Sequence, residues 1–172
     1  PITSPKAEKV FEQDAYLVQH KNSAILEDST SGGSFTAIAQ AILTRGGVVF
    51  GAAYDKHFNV YHTFVEDEKE LARFRNSKYV QSKMGQVFQQ VKHFLKEKRY
   101  VCFSGTPCQI EGLLNYLNQP SPYLFTVDVV CHAVPSPAVW QTYLGMLRKQ
   151  QNTDFLNLRF RDKDRFGYMY SQ

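Results

Sequence analysis

At 172 residues, 43% hydrophobic and 21% charged, the chain holds enough apolar material for one ordinary packed core, with at most a small appendage. Its net charge of +4, from 20 basic and 16 acidic residues spread along the chain, falls short of a nucleic-acid footprint and suits an anionic small molecule or an acidic partner protein. Three cysteines, Cys102, Cys108 and Cys131, exclude a secreted disulfide framework. With no signal peptide and no bilayer-length apolar run, the expected setting is a reducing cytoplasm. Ten Tyr and thirteen Phe against one Trp favour a β-rich core, or a surface that stacks on flat ligands.

Residues 1–14 are polar and read as a lead-in or linker, and 15–172 as one α/β domain. Ala15 to His20 alternates as a short strand, Lys21-Asn22-Ser23 turns it, and Ile25-Leu26 is a stub. Asp28-Ser29-Thr30-Ser31-Gly32-Gly33 is dense in cap and turn residues. It enters a helix with Phe35, Ile38, Ala39, Ile42 and Leu43 at helical spacing, closed by Arg45-Gly46-Gly47. Val48 to Tyr54 and Asn59 to Val65 form a predicted hairpin through Asp55-Lys56-His57-Phe58. A short helix over Glu68 to Phe74 follows, then an irregular stretch, Arg75 to Ser82. Met84 to Lys98 is an amphipathic helix with Val87, Val91, Phe94 and Leu95 inward.

Tyr100 to Phe103 reads as a buried strand and Ser104-Gly105 as its turn. Thr106 is an N-cap, Pro107 the first helical residue, and Gln109 completes a capping box. The helix runs to about Leu117. Leu124 to Val130 is predicted as another central strand. Ser136-Pro137 opens a helix to about Gln151, and Phe155 to Phe160 alternates as a strand. After the turn Asp162 to Gly167 a last β segment begins, so the chain reads as a fragment of a longer protein. Strands alternating with helices after residue 84, with the hairpin added, predict a mixed, partly parallel sheet with helices on both faces.

Several stretches carry candidate chemistry. Cys108 falls in the first turn of a helix at the end of a strand, where free N–H groups and the helix dipole favour a thiolate, the form that binds metal or attacks. The same residues also fit a plain capped helix with a buried thiol. Ser29 to Ser34 suits an anion such as a nucleotide or flavin phosphate, and suits an ordinary glycine-rich cap equally. Ser77-Lys78-Tyr79-Val80-Gln81-Ser82 gathers a cation, a ring and hydroxyls in one irregular segment, or is simply a solvated loop. Cys131, like Cys108, leaves an apolar strand at its carboxyl end; if those strands are neighbours, both sulfurs share one edge. A cluster usually takes four thiolates, so ligands from elsewhere are needed, and Cys102 reads as a buried inert thiol. No CxxC is present. Cys131 and His132 point to opposite faces of an extended chain, a poor arrangement for a nucleophile pair. His20, His57, His62 and His93 have no evident partners and read as surface or hairpin residues.

Taken together, five motifs resemble the beta-subunit family of the coenzyme F420 hydrogenases and dehydrogenases over about residues 15–170. They are Thr30 to Phe35, Ser77 to Ser82, Phe103 to Gln109, Val130 to Pro137, and Phe160-Arg161-Asp162-Lys163. Members bind FAD and pass electrons between an iron–sulfur cluster and a hydride carrier or other acceptor, and many carry a leading ferredoxin-like segment. The resemblance implies that Ser31, Gly32, Gly33, Ser34, Ser77, Lys78 and Tyr79, with the turn Gly105-Thr106-Pro107, lie on the flavin side, Lys78 placing charge near the ring. It implies that Cys108 and Cys131 ligate a 4Fe-4S cluster completed by cysteines further along. One departure is Ala133, where the family usually has Gly after the Cys-His pair. The expected activity is that of a cytoplasmic flavin-dependent oxidoreductase subunit. Its expected partners are a ferredoxin-like domain or electron-transfer subunit and a small-molecule acceptor, with a homo-oligomer left open and neither nucleic acid nor a membrane span involved. Two alternatives remain: a cofactor-free scaffold domain of a larger assembly, such as one in polysaccharide synthesis, and a thiol-nucleophile transferase using Cys108.

Overall fold

A computed structural model of the chain describes residues 13–161. Runs of β-branched and aromatic residues form four strands, β1 (Val48–Tyr54), β2 (Val60–Val65), β3 (Val101–Gly105) and β4 (Leu124–Asp128). They make one sheet in the order β2-β1-β3-β4, with β1/β2 antiparallel and the other two pairs parallel. Asp55 sets the hairpin turn: its Oδ1 accepts the N–H groups of His57 and Asn59 at 2.8 and 2.9 Å.

The helices are α1 (Ser23–Asp28), α2 (Ser34–Leu43), α3 (Val87–Lys96), α4 (Pro107–Leu117) and α5 (Pro137–Gln151), with a 3₁₀ segment over Glu68–Phe74. On one face of the sheet, Ala39 and Ile42 of α2 and Leu71 and Phe74 of the 3₁₀ segment pack on Val49, Ala53 and Cys102. On the other, Val87 and Val91 of α3 and Ile110 and Leu113 of α4 pack on Val48, Phe50, Val101 and Phe103. The sheet is therefore mixed with helices on both faces, as the alternation of elements predicts. α5 meets Val60 at the start of β2 and Val80 of the irregular segment through Trp140 and Leu144, and Trp140 Nε1 donates to the Phe58 carbonyl at 2.8 Å.

Some expectations fail for identifiable reasons. Ala15 to His20 forms no strand: Tyr16 and Leu17 are exposed, and the segment's backbone is tied to a described residue by the His20 N–H, which donates to the Gly32 carbonyl at 2.7 Å. Ile25-Leu26 belongs to helix α1, which Asn22 caps. Leu124 to Val130 is shorter than expected and lies at the sheet edge, so Phe125, Val129 and Val130 are exposed. Phe155 to Phe160 keeps its alternation but pairs with no described strand; Phe155, Leu158 and Phe160 instead pack beside Trp140 and Leu144. The final turn and β segment, and most of the lead-in, lie outside the described residues.

Two glycines give opposite predictions. A Cβ at Gly51 would come within 2.8 Å of the Phe74 ring, so Gly51→Ala should cost about 1–3 kcal/mol through overpacking. Gly145 lies inside α5 with open space beside it, so Gly145→Ala should stabilise by about 0.5–1 kcal/mol. Urea denaturation of the two variants should show shifts of opposite sign.

Candidate functional site

The site grows from the carboxyl ends of the parallel strands. β3 stops at Gly105, and α4 starts two residues later behind a Thr106 cap, because Pro107 fits the first helical position. Gln109 reaches back to accept the Thr106 N–H at 3.1 Å, as the capping-box spacing predicts. Cys108 is exposed, and its Sγ is 3.2 Å from Thr106 Oγ1. On the neighbouring strand Asp128 pairs with Gly105, and Val129 N–H extends that ladder to the Gly105 carbonyl at 2.9 Å. Cys108 and Cys131 each lie three residues beyond that pair, so both leave the same end of adjacent parallel strands. Cys102 is fully buried mid-strand, and burial pushes its thiol up to about 12.

The irregular segment 77–82 crosses this end of the sheet and is tied at both extremities. At one, the Ser77 N–H donates to Thr30 Oγ1 at 3.0 Å, joining it to the glycine-rich entry of α2. At the other, Ser82 Oγ accepts from Gln109 Nε2 at 2.8 Å, beside Cys108. Three of the motifs singled out in the sequence thus meet: Thr30 to Ser34, Ser77 to Ser82 and Ser104 to Gln109. Cys131 shares the end of the sheet with them.

Between the anchors stands a cluster of cations. Lys78 Nζ donates to the carbonyls of Arg75 and Asn76 at 2.9 and 3.1 Å and lies 5.5 Å from the Tyr54 ring centroid. Burial lowers its pKa to about 8, against a smaller opposing pull from Asp28. Asp28 itself binds two guanidinium groups, Arg75 at 3.0 Å and Arg159 at 3.3 Å. The Arg161 guanidinium lies 5.8 Å from the ring of Tyr79, whose side chain faces outward. Three cations, Arg75, Arg159 and Lys78, thus stand about one carboxylate. Arg75 Nε and Tyr54 Oη are buried there without hydrogen-bond partners among the described residues, and burial raises the Tyr54 phenol. Cationic groups, spare buried donors and an exposed ring fit the phosphates and flat ring of a flavin nucleotide.

The glycines have a local reason to be glycine. A Cβ on Gly32 would strike the Val18 carbonyl, and one on Gly33 would crowd His20 and Ser29, with Gly33 at φ +75°. The chain's own 18–20 segment fills the space the missing side chains leave. A 330 Å³ hollow beside this corner is lined by Val18, His20, Lys21 and Ser34. A larger cleft of 840 Å³ opens on the hairpin side, between Asn59, Tyr61, Ser82, Lys83 and Pro137. Among the described residues no group of three or more His, Cys, Asp or Glu side chains is placed to hold a metal ion. Two sulfurs do not make a cluster site, so the described residues alone do not fit one.

The sequence reading passes over Asp28, Arg75 and above all His62. His62 is buried, not a surface residue, and bonds to both Ser82 and the Ser104 carbonyl. Its signal lies in the period of β2: Val60, His62 and Phe64 share a face, and the other two are apolar.

Two measurements check this geometry. Brief alkylation of the folded, iron-free protein, mapped by mass, should label Cys108 readily and Cys102 only after unfolding. Lys78 takes up its proton less readily when folded, so the unfolded chain binds more protons between pH 8 and 10.5. Relative to Lys78→Met, the wild-type protein should therefore gain stability as pH rises through that window, by up to about 1.4 kcal/mol per pH unit. Denaturant melts at paired pH values that show a constant difference would refute this.

Residues 98–171 match a family described as the C terminus of the coenzyme F420 hydrogenase/dehydrogenase beta subunit. In structure, the chain is similar to one chain of the xenon-derivatised F420-reducing [NiFe] hydrogenase complex from Methanosarcina barkeri, with a TM-score of 0.60 and 19% identity. That match covers 81% of this chain and 51% of the other, so the chain spans about half the length of its structural relative. At that identity the likeness speaks for the fold. No curated protein matches the chain in sequence. No helix among the described residues is long and apolar enough to cross a membrane. The family match takes in β3, α4, β4 and α5, the elements that build the strand ends bearing Cys108 and Cys131.

Proposed function

We propose that the chain is the FAD-binding core of a flavin- and iron–sulfur-dependent oxidoreductase subunit, passing electrons between a 4Fe-4S cluster and a hydride carrier such as coenzyme F420 or another acceptor. The observation that carries this reading is the 77–82 segment, which ties the entry of α2 to the first turn of α4 and sets a basic, aromatic-edged surface between them. In this reading Arg75, Lys78 and Arg161 hold the flavin's phosphates, Tyr79 covers its ring system, and the turn Gly105-Thr106-Pro107 forms the far wall. Ser31, Gly32, Gly33 and Ser34 contribute the backbone of the α2 entry, with Gly32 and Gly33 shaping the corner rather than opening it. Bound FAD supplies hydride and single-electron chemistry, while the protein supplies orientation and charge. Cys108 and Cys131 offer two cluster ligands, the remainder coming from outside the described residues. Such a subunit works in the cytoplasm beside a ferredoxin-like domain or electron-transfer subunit. The acceptor is not chosen by the fold, which hosts many activities.

The test is an absorption spectrum and iron count on full-length protein made anaerobically with added FAD and iron. A flavin band together with bound iron is expected. In the same protein Lys78→Ala should weaken flavin retention about tenfold, the weight of one charged hydrogen bond. Colourless, iron-free protein overturns the reading in favour of a scaffold. Stoichiometric alkylation of Cys108 with loss of activity in cluster-free protein overturns it in favour of a thiol-nucleophile transferase.

A further inference from the structure

His62, Ser82 and Gln109 form a buried hydrogen-bonded chain that the proposed function leaves unused. His62 is 6% exposed and Ser82 9%. The imidazole Nε2 lies 3.0 Å from the Ser104 carbonyl oxygen, and Nδ1 lies 2.8 Å from Ser82 Oγ. Gln109 Nε2 donates to the same hydroxyl at 2.8 Å, while Gln109 Oε1 holds the Thr106 N–H. A carbonyl only accepts, so Nε2 carries the proton. Burial holds the imidazole below its usual pKa, against the opposing backbone bond to Ser104, so the ring is neutral and Nδ1 accepts. Each member then has one role. The Gln109 amide donates to Ser82, Ser82 donates to His62, and His62 donates to Ser104. The ring is further fixed by stacking on Phe103, with centroids 5.4 Å apart and planes 16° from parallel. The chain of bonds closes around Ser104-Gly105-Thr106, the turn from which Cys108 projects.

We propose that His62 is a positioning residue for Cys108: directly through Ser104, and indirectly through Ser82 and Gln109, it fixes the turn that presents the sulfur. The inference rests on reading Cys108 as the functional thiol. A fully directed network of this kind tolerates little displacement, because shifting any member leaves a buried polar atom unpaired. A side chain needed only to fill space would be apolar here, as Val60 and Phe64 on the same face of β2 are.

The test compares two substitutions in the full-length protein. His62→Gln keeps an amide N–H near the Nε2 position, facing Ser104. His62→Asn keeps an acceptor near the Nδ1 position, facing Ser82, and loses the Ser104 bond. Amide hydrogen exchange over Gly105 to Gln109, with the β1 amides as an internal reference, should be roughly three- to tenfold faster in His62→Asn. It should lie within about twofold of wild type in His62→Gln. The rate of Cys108 alkylation should change in His62→Asn and recover in His62→Gln. Nitrogen NMR of the wild-type imidazole should place the proton on Nε2 at neutral pH. The proposal is overturned if the proton sits on Nδ1. It is equally overturned if neither variant speeds exchange, if the two variants are alike, or if the β1 amides accelerate in step. Should His62→Asn fail to fold, Ser82→Ala cuts the Gln109 arm and must speed exchange at Thr106 and Gln109 by the same range, or the proposal falls. Iron-free full-length protein would remove the cluster reading and leave the exchange result standing. Unaltered exchange would do the reverse.

Discussion

One hydroxyl, on Ser82, holds the carboxyl end of this sheet together. It accepts from Gln109 in α4 and sits beside His62 from β2, so it joins an irregular segment to a helix start and an edge strand at once. Irregular backbone beside a sheet lacks the ladder that satisfies its polar groups, so those bonds must come from outside the segment. The Ser77 N–H finds Thr30 Oγ1 at one end and the Gln81 N–H finds the Pro135 carbonyl near the other, where the Ser82 side chain adds the ties to α4 and β2. Between these anchors Val80 turns into the apolar cluster under α5, and the next residue back, Tyr79, is left facing outward. The outward ring and the inward lysine are consequences of that double anchoring.

What the sequence makes legible is what depends on neighbours along the chain. The start of α4 needs only Thr106, Pro107 and Gln109 in the right spacing, and all three act as expected. The hairpin and the helices on both faces follow from hydrophobic period and length. Errors arise where an element needs a partner from elsewhere. Phe155 to Phe160 has the alternation of a strand because alternate side chains face a core, yet no strand among the described residues pairs with it. Leu124 to Val130 is apolar enough for a central strand, but centrality is fixed by what lies beyond Phe125, and the described sheet ends there. His62 is misjudged for the same reason: its partners are 20 and 42 residues away in the chain.

The glycine-rich entry of α2 shows how one composition serves two purposes that a sequence cannot separate. A phosphate cradle and a close crossing of backbones both need residues without a Cβ. Here the crossing is plain: the 18–20 segment lies where side chains at Gly32 and Gly33 would stand. The proposed anion recognition at this corner then rests on groups that carry charge. Those groups come from segments far apart in the chain, Arg75 and Lys78 in one and Arg159 in another, and only the fold collects them around Asp28, with Arg161 beside Tyr79.

The groups placed at Asp28 carry more positive than negative charge, which supports the anion proposed to bind there. Arg75, Arg159 and Lys78 face the one carboxylate of Asp28, and like charges gathered at partial burial oppose folding unless compensated. Lys78 is buried among them: desolvation brings its pKa to about 8, against the pull of Asp28, so it holds its proton less firmly than a solvated amine although two carbonyls accept from it. An anion beside it would favour the charged form and raise that pKa. Binding and protonation would therefore assist each other, in line with the reciprocity that linkage demands. A purely structural cluster has no such need, since a second carboxylate in place of a neutral neighbour would balance it. Arg75 Nε and Tyr54 Oη, buried without hydrogen-bond partners among the described residues, support the proposed binding surface over a plain salt-bridge network.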